Sequence, residues 1–495
     1  MKMKNIYLLV LVLGVLVSAC ELPDNRDPKS ATDVPATTVF SNALRDGLRH
    51  LDQMNQNVNV SRLMCQYSAM MQYPEPSRYI FDDRQIPDGY WNTTYLVLQD
   101  LREVRVLIQD LTGSESFNRM NANRLAIVDI MEVLMYHNLV DILGDIPYTE
   151  ALGGFDNKTP VYDDAAAIYA DLLARLGTDI ATLQAGINDG SWGAEDLVYG
   201  GDVAMWKKFA ATLKLRLGMR LADTNPTAAQ AELAAALSAG CLEPGEAMQL
   251  PWVGVSPHVN TIYDVFTVAN RNDYAPSLTI ISLMEGLNDA RMPIYFTQVD
   301  TSVLGEGKFA YVGLKYGLTS NESYPTYSHF GDVMFEPDFP ATFACNAEVE
   351  FLLAEAAARG WTTPLTAAEH YEAGITESYD FWGADDTDLA AYLAQTDVAY
   401  DQARWKELIG TQKWLALYNR GNEGWATQRV FDWPVMDPTE DMVQADIPSR
   451  LPYPYNEPDY NGDNYAAAAA NIGVDDVRTL LFWDVTHNSA TPSPN

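Results

Sequence analysis

The chain is poor in the residues that build catalytic and metal centres. Its 495 residues include four cysteines and six histidines. No two histidines stand in a His-Glu-x-x-His arrangement. There is no Gly-x-Ser-x-Gly elbow and no phosphate loop ending in Gly-Lys-Ser or Gly-Lys-Thr. Gly305-Glu306-Gly307 carries half of a dinucleotide fingerprint, without the strand and helix that such a fingerprint needs. Apart from Cys20, the cysteines are Cys65, Cys241 and Cys345, scattered too widely for a disulfide framework or a metal site; at most one pair forms. Positive charge is also scarce: 32 Lys and Arg against 67 Asp and Glu, a net charge of -35. A surface of that sign repels phosphates and anionic lipid, which excludes nucleic acid and peripheral membrane binding and leaves neutral or cationic ligands. Among 67 acidic residues carboxylate pairs are unavoidable, so their presence does not argue for a glycosidase dyad.

What is present begins at the N-terminus. Met1-Lys2-Met3-Lys4 precedes an apolar run from Ile6 to Val17, the build of an export signal. The run falls short of the roughly 20 residues of a spanning helix. Val17-Ser18-Ala19-Cys20 resembles the lipobox of bacterial lipoproteins, which implies a signal peptide over 1–19 and a lipidated Cys20. Acyl chains contribute about 0.8 kcal/mol per buried methylene, so a multiply acylated cysteine is a stable anchor. An ordinary cleaved signal with a chance cysteine is the competing reading. Glu21-Leu22-Pro23-Asp24-Asn25-Arg26-Asp27 resembles the surface-export signal of Bacteroidetes lipoproteins, although a solvated tether has the same composition. Residues 20–37 read as a lipidated tether and 38–495 as one domain.

Helical periodicity dominates from there. Phe40, Leu44, Leu48 and Leu51 mark a first helix, and further helices are predicted over 95–111, 124–143, 165–185, 206–222 and 228–237. The helix from Trp206 reads as burying one stripe and solvating a basic side that holds Lys207, Lys208, Lys214, Arg216 and Arg220. Between Gly240 and Ala341 Gly, Pro, Asn and Tyr are dense, predicting long loops and one helix near 277–285. Helices return over 346–359, 367–381 and 401–418, and the tail from Trp433 reads as loop. Strands do not alternate with helices, which excludes a doubly wound sheet. The fold class is all-α, with paired helices and a loop-rich second half.

Six segments carry a resemblance. They are 141–152 (Asp141-Ile142-Leu143-Gly144-Asp145-Ile146-Pro147 onward), Tyr199-Gly200-Gly201-Asp202 with 206–217, Asn288-Asp289-Ala290-Arg291-Met292-Pro293, 347–356 with Gly360-Trp361, 412–417 with Trp425 and Arg429, and Arg450-Leu451-Pro452-Tyr453-Pro454. In this order behind a lipobox they resemble the SusD/RagB family of Bacteroidetes, particularly its second SusD-like branch. The resemblance covers the chain from about residue 40 onward. It implies a helical body of four tetratricopeptide-type pairs and a loop-rich half that carries much of the ligand surface. It also implies a TonB-dependent SusC-like transporter as partner, a nutrient ligand that is mostly an oligosaccharide, and a place on the outside of the outer membrane. Gln428-Arg429 departs from the arginine pair usual in the family, which puts the role of the first arginine in doubt.

Residue by residue these segments read as structural. Gly144 to Pro147 is a helix stop and turn, and Glu348 and Glu350 are acidic groups suiting a helix start.

Sugar binding needs flat apolar faces flanked by polar groups, which aromatic loops with Asp, Asn and Arg supply. Three clusters qualify: Tyr73 to Trp91, Trp252 to Tyr274 and Tyr311 to Phe330. In the first, preferred cluster, Trp91 or Tyr79 is expected to stack on the ligand, with Asp83 and Arg84 bonding to it. Tyr274 and Tyr327 are the candidates in the other two. Against that role, Trp91 directly precedes a helix and stands four residues before Tyr95, the pattern of a core position. Asp459, Asn461 and Asp463 alternate as calcium ligands do, but the turn position holds Asn464 and the twelfth holds Ala470, so the segment reads as a plain turn; no metal, cofactor or catalytic residue is assigned. A non-catalytic capture lipoprotein fits best. The alternatives are a peptide or other nutrient receptor, a surface glycoside hydrolase, and a scaffold that binds only its protein partner.

Overall fold

Apolar residues recurring every third or fourth position give the chain its helices, and each helix buries that stripe against the next. The computed structural model describes residues 34–54, 60–304, 309–438 and 447–485. The expected signal peptide, Cys20 and most of the expected tether fall outside the described residues. Helix α1 (Ala36–Asp52) buries Phe40, Leu44, Leu48 and Leu51 against α2 (Ile86–Ile108). Helix α3 (Glu115–Leu143) starts on Ser114, whose hydroxyl accepts from Phe117 N at 3.2 Å, and stops at Gly144, where φ of 87° favours glycine. It pairs with α4 (Ala165–Ala185). Helix α5 (Val203–Arg220), capped by Asp202, pairs with α6 (Pro226–Ala239). After α7 (Leu278–Leu287), helix α8 (Asn346–Ala358) pairs with α9 (Ala367–Trp382), which opens on a Thr366–Glu369 capping box. Helix α10 (Trp405–Ala416) packs on α11 (Gly421–Phe431), and α12 (Gly462–Asn471) lies in the tail. The first eight paired helices are the four predicted pairs, and the loop-rich half is inserted between the third and fourth.

Short antiparallel ladders tie that insertion down. Strands β1 (Ser68–Met70), β2 (Ala247–Leu250), β3 (Tyr274–Pro276), β4 (Val299–Asp300), β5 (Phe309–Ala310) and β6 (Ala341–Cys345) pair as β1–β3, β2–β6 and β4–β5. The first ladder sets Met70 opposite Tyr274 and joins the segment before α2 to the insertion. The second joins the start of the insertion to the strand that leads into α8.

One sequence reading is corrected here. Helix α5 solvates no basic side along its last ten residues: Lys214, Arg216 and Arg220 are buried. Packing against α4, α6 and α8 leaves those residues no face to water, so the cations find partners inside. Arg216 reaches Glu348 through Nε at 2.6 Å and Nη2 at 2.9 Å, Arg220 Nη2 reaches Glu423 at 2.8 Å, and Lys214 Nζ donates to Leu173 O at 2.8 Å. Glu348 stands in the first turn of α8, as the sequence reads, but its work there is inside the core. It is fully buried and also bound by Arg420. Burial alone would raise its carboxyl; Arg216 and Arg420 overcome that and hold it down at about 2. Arg429 is structural too: it lies 4.0 Å from the Trp425 ring and 4.8 Å from the Trp483 ring, and donates to Asp141 O and Ser449 O. Cys65 and Cys345 are buried and free, and Cys241 is half-buried and free.

Candidate functional site

The three aromatic clusters, more than two hundred residues apart in part, meet at one edge of the β1–β3 ladder. Beyond β1 the chain leaves the ladder and its backbone is held by both other clusters. Met71 N donates to Asp273 O at 2.8 Å, Glu322 N donates to Met71 O at 2.9 Å, and Gln72 Nε2 donates to Glu322 O at 2.7 Å. Tyr73 N donates to Asn321 Oδ1 at 3.2 Å. The segment then turns sharply. Tyr73, Tyr79 and Gln85 all have φ between 50° and 61°, the left-handed region that costs non-glycine residues about 1–3 kcal/mol each. That cost persists only where the surroundings fix the conformation.

The result is an edge with one ring outward and polar groups around it. Tyr73 is 51% exposed. The Arg84 guanidinium lies 5.3 Å from the centre of that ring and bonds Glu75 Oε2 at 3.1 Å. Asp83 is exposed on the same turn, Tyr327 is half-buried, and Arg271 bonds Asp273 at the opposite end. Tyr324 stacks on His329 at 3.9 Å beside them. Two expected ligand residues lie underneath. Tyr79 is buried with its ring 5.9 Å from Tyr316, and Tyr274 is buried with its ring 6.2 Å from Phe266. They brace the edge from below. Asn321 and Glu322 escaped the sequence reading because a polar pair in a loop carries no periodicity; their only signal is their place between Tyr316 and Tyr324.

Trp91 points elsewhere. Its ring is 4.9 Å from Tyr95 and 5.8 Å from Tyr162, and it is 8% exposed. It floors a separate cleft of about 250 Å³, whose walls include Lys158, Glu457 and Tyr460. The first sequence cluster is thus split by the start of α2: Tyr73, Asp83 and Arg84 go to the edge and Trp91 to the cleft.

Two charged features lie apart from the edge and the cleft. His137, Asp141 and Glu423 place ligand atoms within 4.8 Å of one another in the core. The carboxylates there already serve cations, Glu423 binding Arg220 at 2.8 Å and Asp141 binding Arg220 at 3.3 Å, so the trio reads as part of the ion network around α5. Between α3 and α4 an open groove of about 520 Å³ holds Arg105, Arg175, Asp129 and Asp179. Asn461, in the calcium-like stretch, donates to Pro160 O at 2.8 Å and accepts from Asn464.

Among the described residues no helix is long and apolar enough to cross a membrane. Residues 28–454 match the model of the second SusD-like family, described as starch-binding and associating with the outer membrane. No curated protein matches the chain in sequence. Solved structures do. One described as a chitin-binding protein is 25% identical, with 92% of this chain and 100% of the other covered and a TM-score of 0.77. A SusD homologue from Bacteroides uniformis is 24% identical over 90% of this chain and 99% of its own, with a TM-score of 0.77. A chitin-binding SusD homologue from Flavobacterium johnsoniae is 23% identical over 92% and 99%, again with a TM-score of 0.77. With the family model spanning most of its length and the four helix pairs in place, the chain belongs to the SusD-like family of binding proteins associated with the outer membrane.

Proposed function

We propose that this chain is a cell-surface lipoprotein, anchored through Cys20, that binds an oligosaccharide without cleaving it and delivers it to a TonB-dependent SusC-like transporter. The observation that carries the reading is the convergence of the three clusters at Tyr73, Arg84 and Tyr327. An outward ring offers a face for the C–H side of a sugar, and Asp83, Arg84 and Glu322 offer acceptors and donors for its hydroxyls. Tyr79 and Tyr274 hold that surface rigid. The relatives described as chitin-binding support a glycan over a peptide. A shallow edge of this kind binds weakly, and tethering beside a transporter raises the effective concentration of captured ligand.

The test uses a soluble form lacking residues 1–20 on a glycan array, followed by calorimetry with the best ligand. Tyr73→Ala and Tyr327→Ala are each expected to weaken binding by about 1–2 kcal/mol, roughly five- to thirtyfold. Unchanged affinity in both removes the edge as the site. Turnover of a polysaccharide by the purified protein, or binding confined to peptides, overturns the function.

A further inference from the structure

We infer that the groove between α3 and α4 is a binding site for a primary alkylammonium group, the end of a lysine side chain or of a free alkylamine. The inference is independent of the glycan reading, and the groove shares no lining residue with the Trp91 cleft.

Small side chains hold the groove open. Ala122 and Ala126 on α3 and Ala174, Thr178 and Thr182 on α4 line it. At about 520 Å³ it lies within the roughly 300–1,000 Å³ of small-molecule sites. Its walls are largely aliphatic and its floor is charged. Arg105 from α2 and Arg175 from α4 both bind Asp129, and both reach Glu132 on α3 as well. That quartet is matched, two cations to two carboxylates.

Asp179 is left over. It is buried, and its Oδ2 has no hydrogen-bond partner among the described residues. The hydrogen bonds of Arg105 and Arg175 go to Asp129, Glu132 and the Tyr148 hydroxyl, and none of them goes to Asp179. A buried acceptor without a donor lowers the stability of the fold. Breaches of that kind gather at functional sites. Here the breach lines an open groove.

The rim sets the class of guest. Thr178 and Thr182 donate their hydroxyls one turn back, to Ala174 O at 3.2 Å and Thr178 O at 2.9 Å, which leaves their oxygens as acceptors. Asp171, which also lines the groove, accepts from the Tyr148 hydroxyl. With Asp179 these positions call for a donor. An ammonium brings three N–H groups and one compact charge. Ala122, Leu125, Ala126 and Ala174 take the methylenes behind it. A divalent ion asks for about six oxygens, and here it meets two guanidiniums. A single positive charge that replaces a proton leaves the balance of the cluster unchanged.

That proton is on Asp179. Burial and then the charge of Asp129 push its carboxyl up to about 9, against the pull of Arg175 and Arg105. The other charged groups around it are Glu132 on α3 and Asp171 on α4; on α5, Lys214 is paired with Glu232 of α6. As the ammonium enters, the Asp179 O–H bond breaks, its proton goes to water, and the carboxylate left behind pairs with the ammonium. Affinity therefore rises about tenfold per pH unit up to about pH 9.

Calorimetry at pH 6, 7 and 8 on the protein lacking residues 1–20 tests this. The probes are n-butylamine, cadaverine and Nα-acetyl-lysine methylamide, with n-butanol and calcium chloride as controls. Butylamine is expected to bind with that pH dependence and to release one proton, seen as heats that vary with the ionisation enthalpy of the buffer. Asp179→Asn is expected to weaken binding about tenfold or more and to abolish its pH dependence. Ala174→Leu, at an exposed position, fills the groove and is expected to weaken binding about fivefold or more with the pH dependence kept. Tighter binding of the lysine derivative assigns the site to a protein's lysine, and tighter binding of cadaverine assigns it to a free diamine; either upholds the ammonium. No binding by any amine, an affinity that ignores pH, or wild-type binding by Asp179→Asn overturns the proposal. Butanol or calcium held as well as the amines overturns the ligand class. The glycan array reads the other site separately, so neither result decides the other.

Discussion

Glu348→Ala is expected to lower the stability of the folded chain by about 3–5 kcal/mol, the loss that follows when one partner of a buried ion pair is removed. The side chain sits at the start of α8 with no exposure and serves two guanidiniums at once, Arg216 from α5 and Arg420 from the turn before α11. Both arginines also converge on Phe343 O in β6, at 2.6 Å and 2.7 Å. Without the carboxylate that one carbonyl and the more distant Glu423, 3.6 Å from Arg216, are left to compensate two buried cations. Glu348→Gln keeps the volume and can still accept one bond, so its loss is expected to be smaller. The pH dependence follows from the sign of the shift. The Glu348 carboxyl is held at about 2 in the folded chain, below its ordinary 4.5. Its stabilisation is therefore present above about pH 4.5 and lost as pH falls toward 2. The stability gap between wild type and Glu348→Gln should narrow over that window. Urea midpoints across pH 2–7 measure both; a loss under 1 kcal/mol for Glu348→Ala, or a gap that ignores pH, contradicts the account.

Periodicity does not show that clamp, whose partners stand 132 residues apart. Helices with a clear stripe were legible: α4 spans Ala165–Ala185 as the spacing of Ile168, Leu172 and Leu176 predicts. The first turns of α2 and α3 were missed because their apolar repeat fades. α2 opens with Pro87 and Gly89, and α3 opens with Glu115, Ser116 and Asn118, whose turn is set by the Ser114 cap. α11 was missed for its two glycines, Gly421 and Gly424, which pack where a Cβ would meet Arg62 and Tyr67 at 2.5 Å. α12 hid in an alanine run in a tail otherwise rich in turn residues. Buried arginines defeat any reading that places charge outside, since what takes them inside is a partner more than a hundred residues away, as with Arg216 and Glu348. The candidate site shows the same limit. Its residue types were legible as clusters, but the grouping was not. Spacing put Tyr79 and Trp91 on one surface, whereas the left-handed turns at Tyr73, Tyr79 and Gln85 send one inward and the other across α2.

Asp179→Asn is expected to do the opposite of Glu348→Ala and stabilise the chain. Asp179, on α4, is buried beside Asp129 on α3. Asp129 already accepts from Arg105 at 2.6 Å and from Arg175 at 2.9 Å and 3.0 Å, so its charge is spoken for and it remains ionised. Burial, and then the negative charge of Asp129, push the Asp179 carboxyl up to about 9. A group raised in the folded state keeps its proton where the unfolded chain has shed it. Its contribution is fully present below about pH 4 and declines by about 1.4 kcal/mol per pH unit up to about pH 9. Asparagine of the same shape carries an N–H donor for Asp129 at every pH and takes no proton from water. The gain from Asp179→Asn should thus be slight at pH 4 and grow steadily to pH 9, as read from urea midpoints at pH 5, 7 and 8.5. Asp129→Asn is expected to be harmful, because it withdraws the carboxylate that both arginines use. The substitution lies between α3 and α4, away from the β1–β3 edge and the Trp91 cleft, so oligosaccharide affinity should not move. A flat gap with pH, or a loss of stability in Asp179→Asn, would mean that Asp179 is ionised in the fold and that its partner is a cation, not the carboxylate of Asp129.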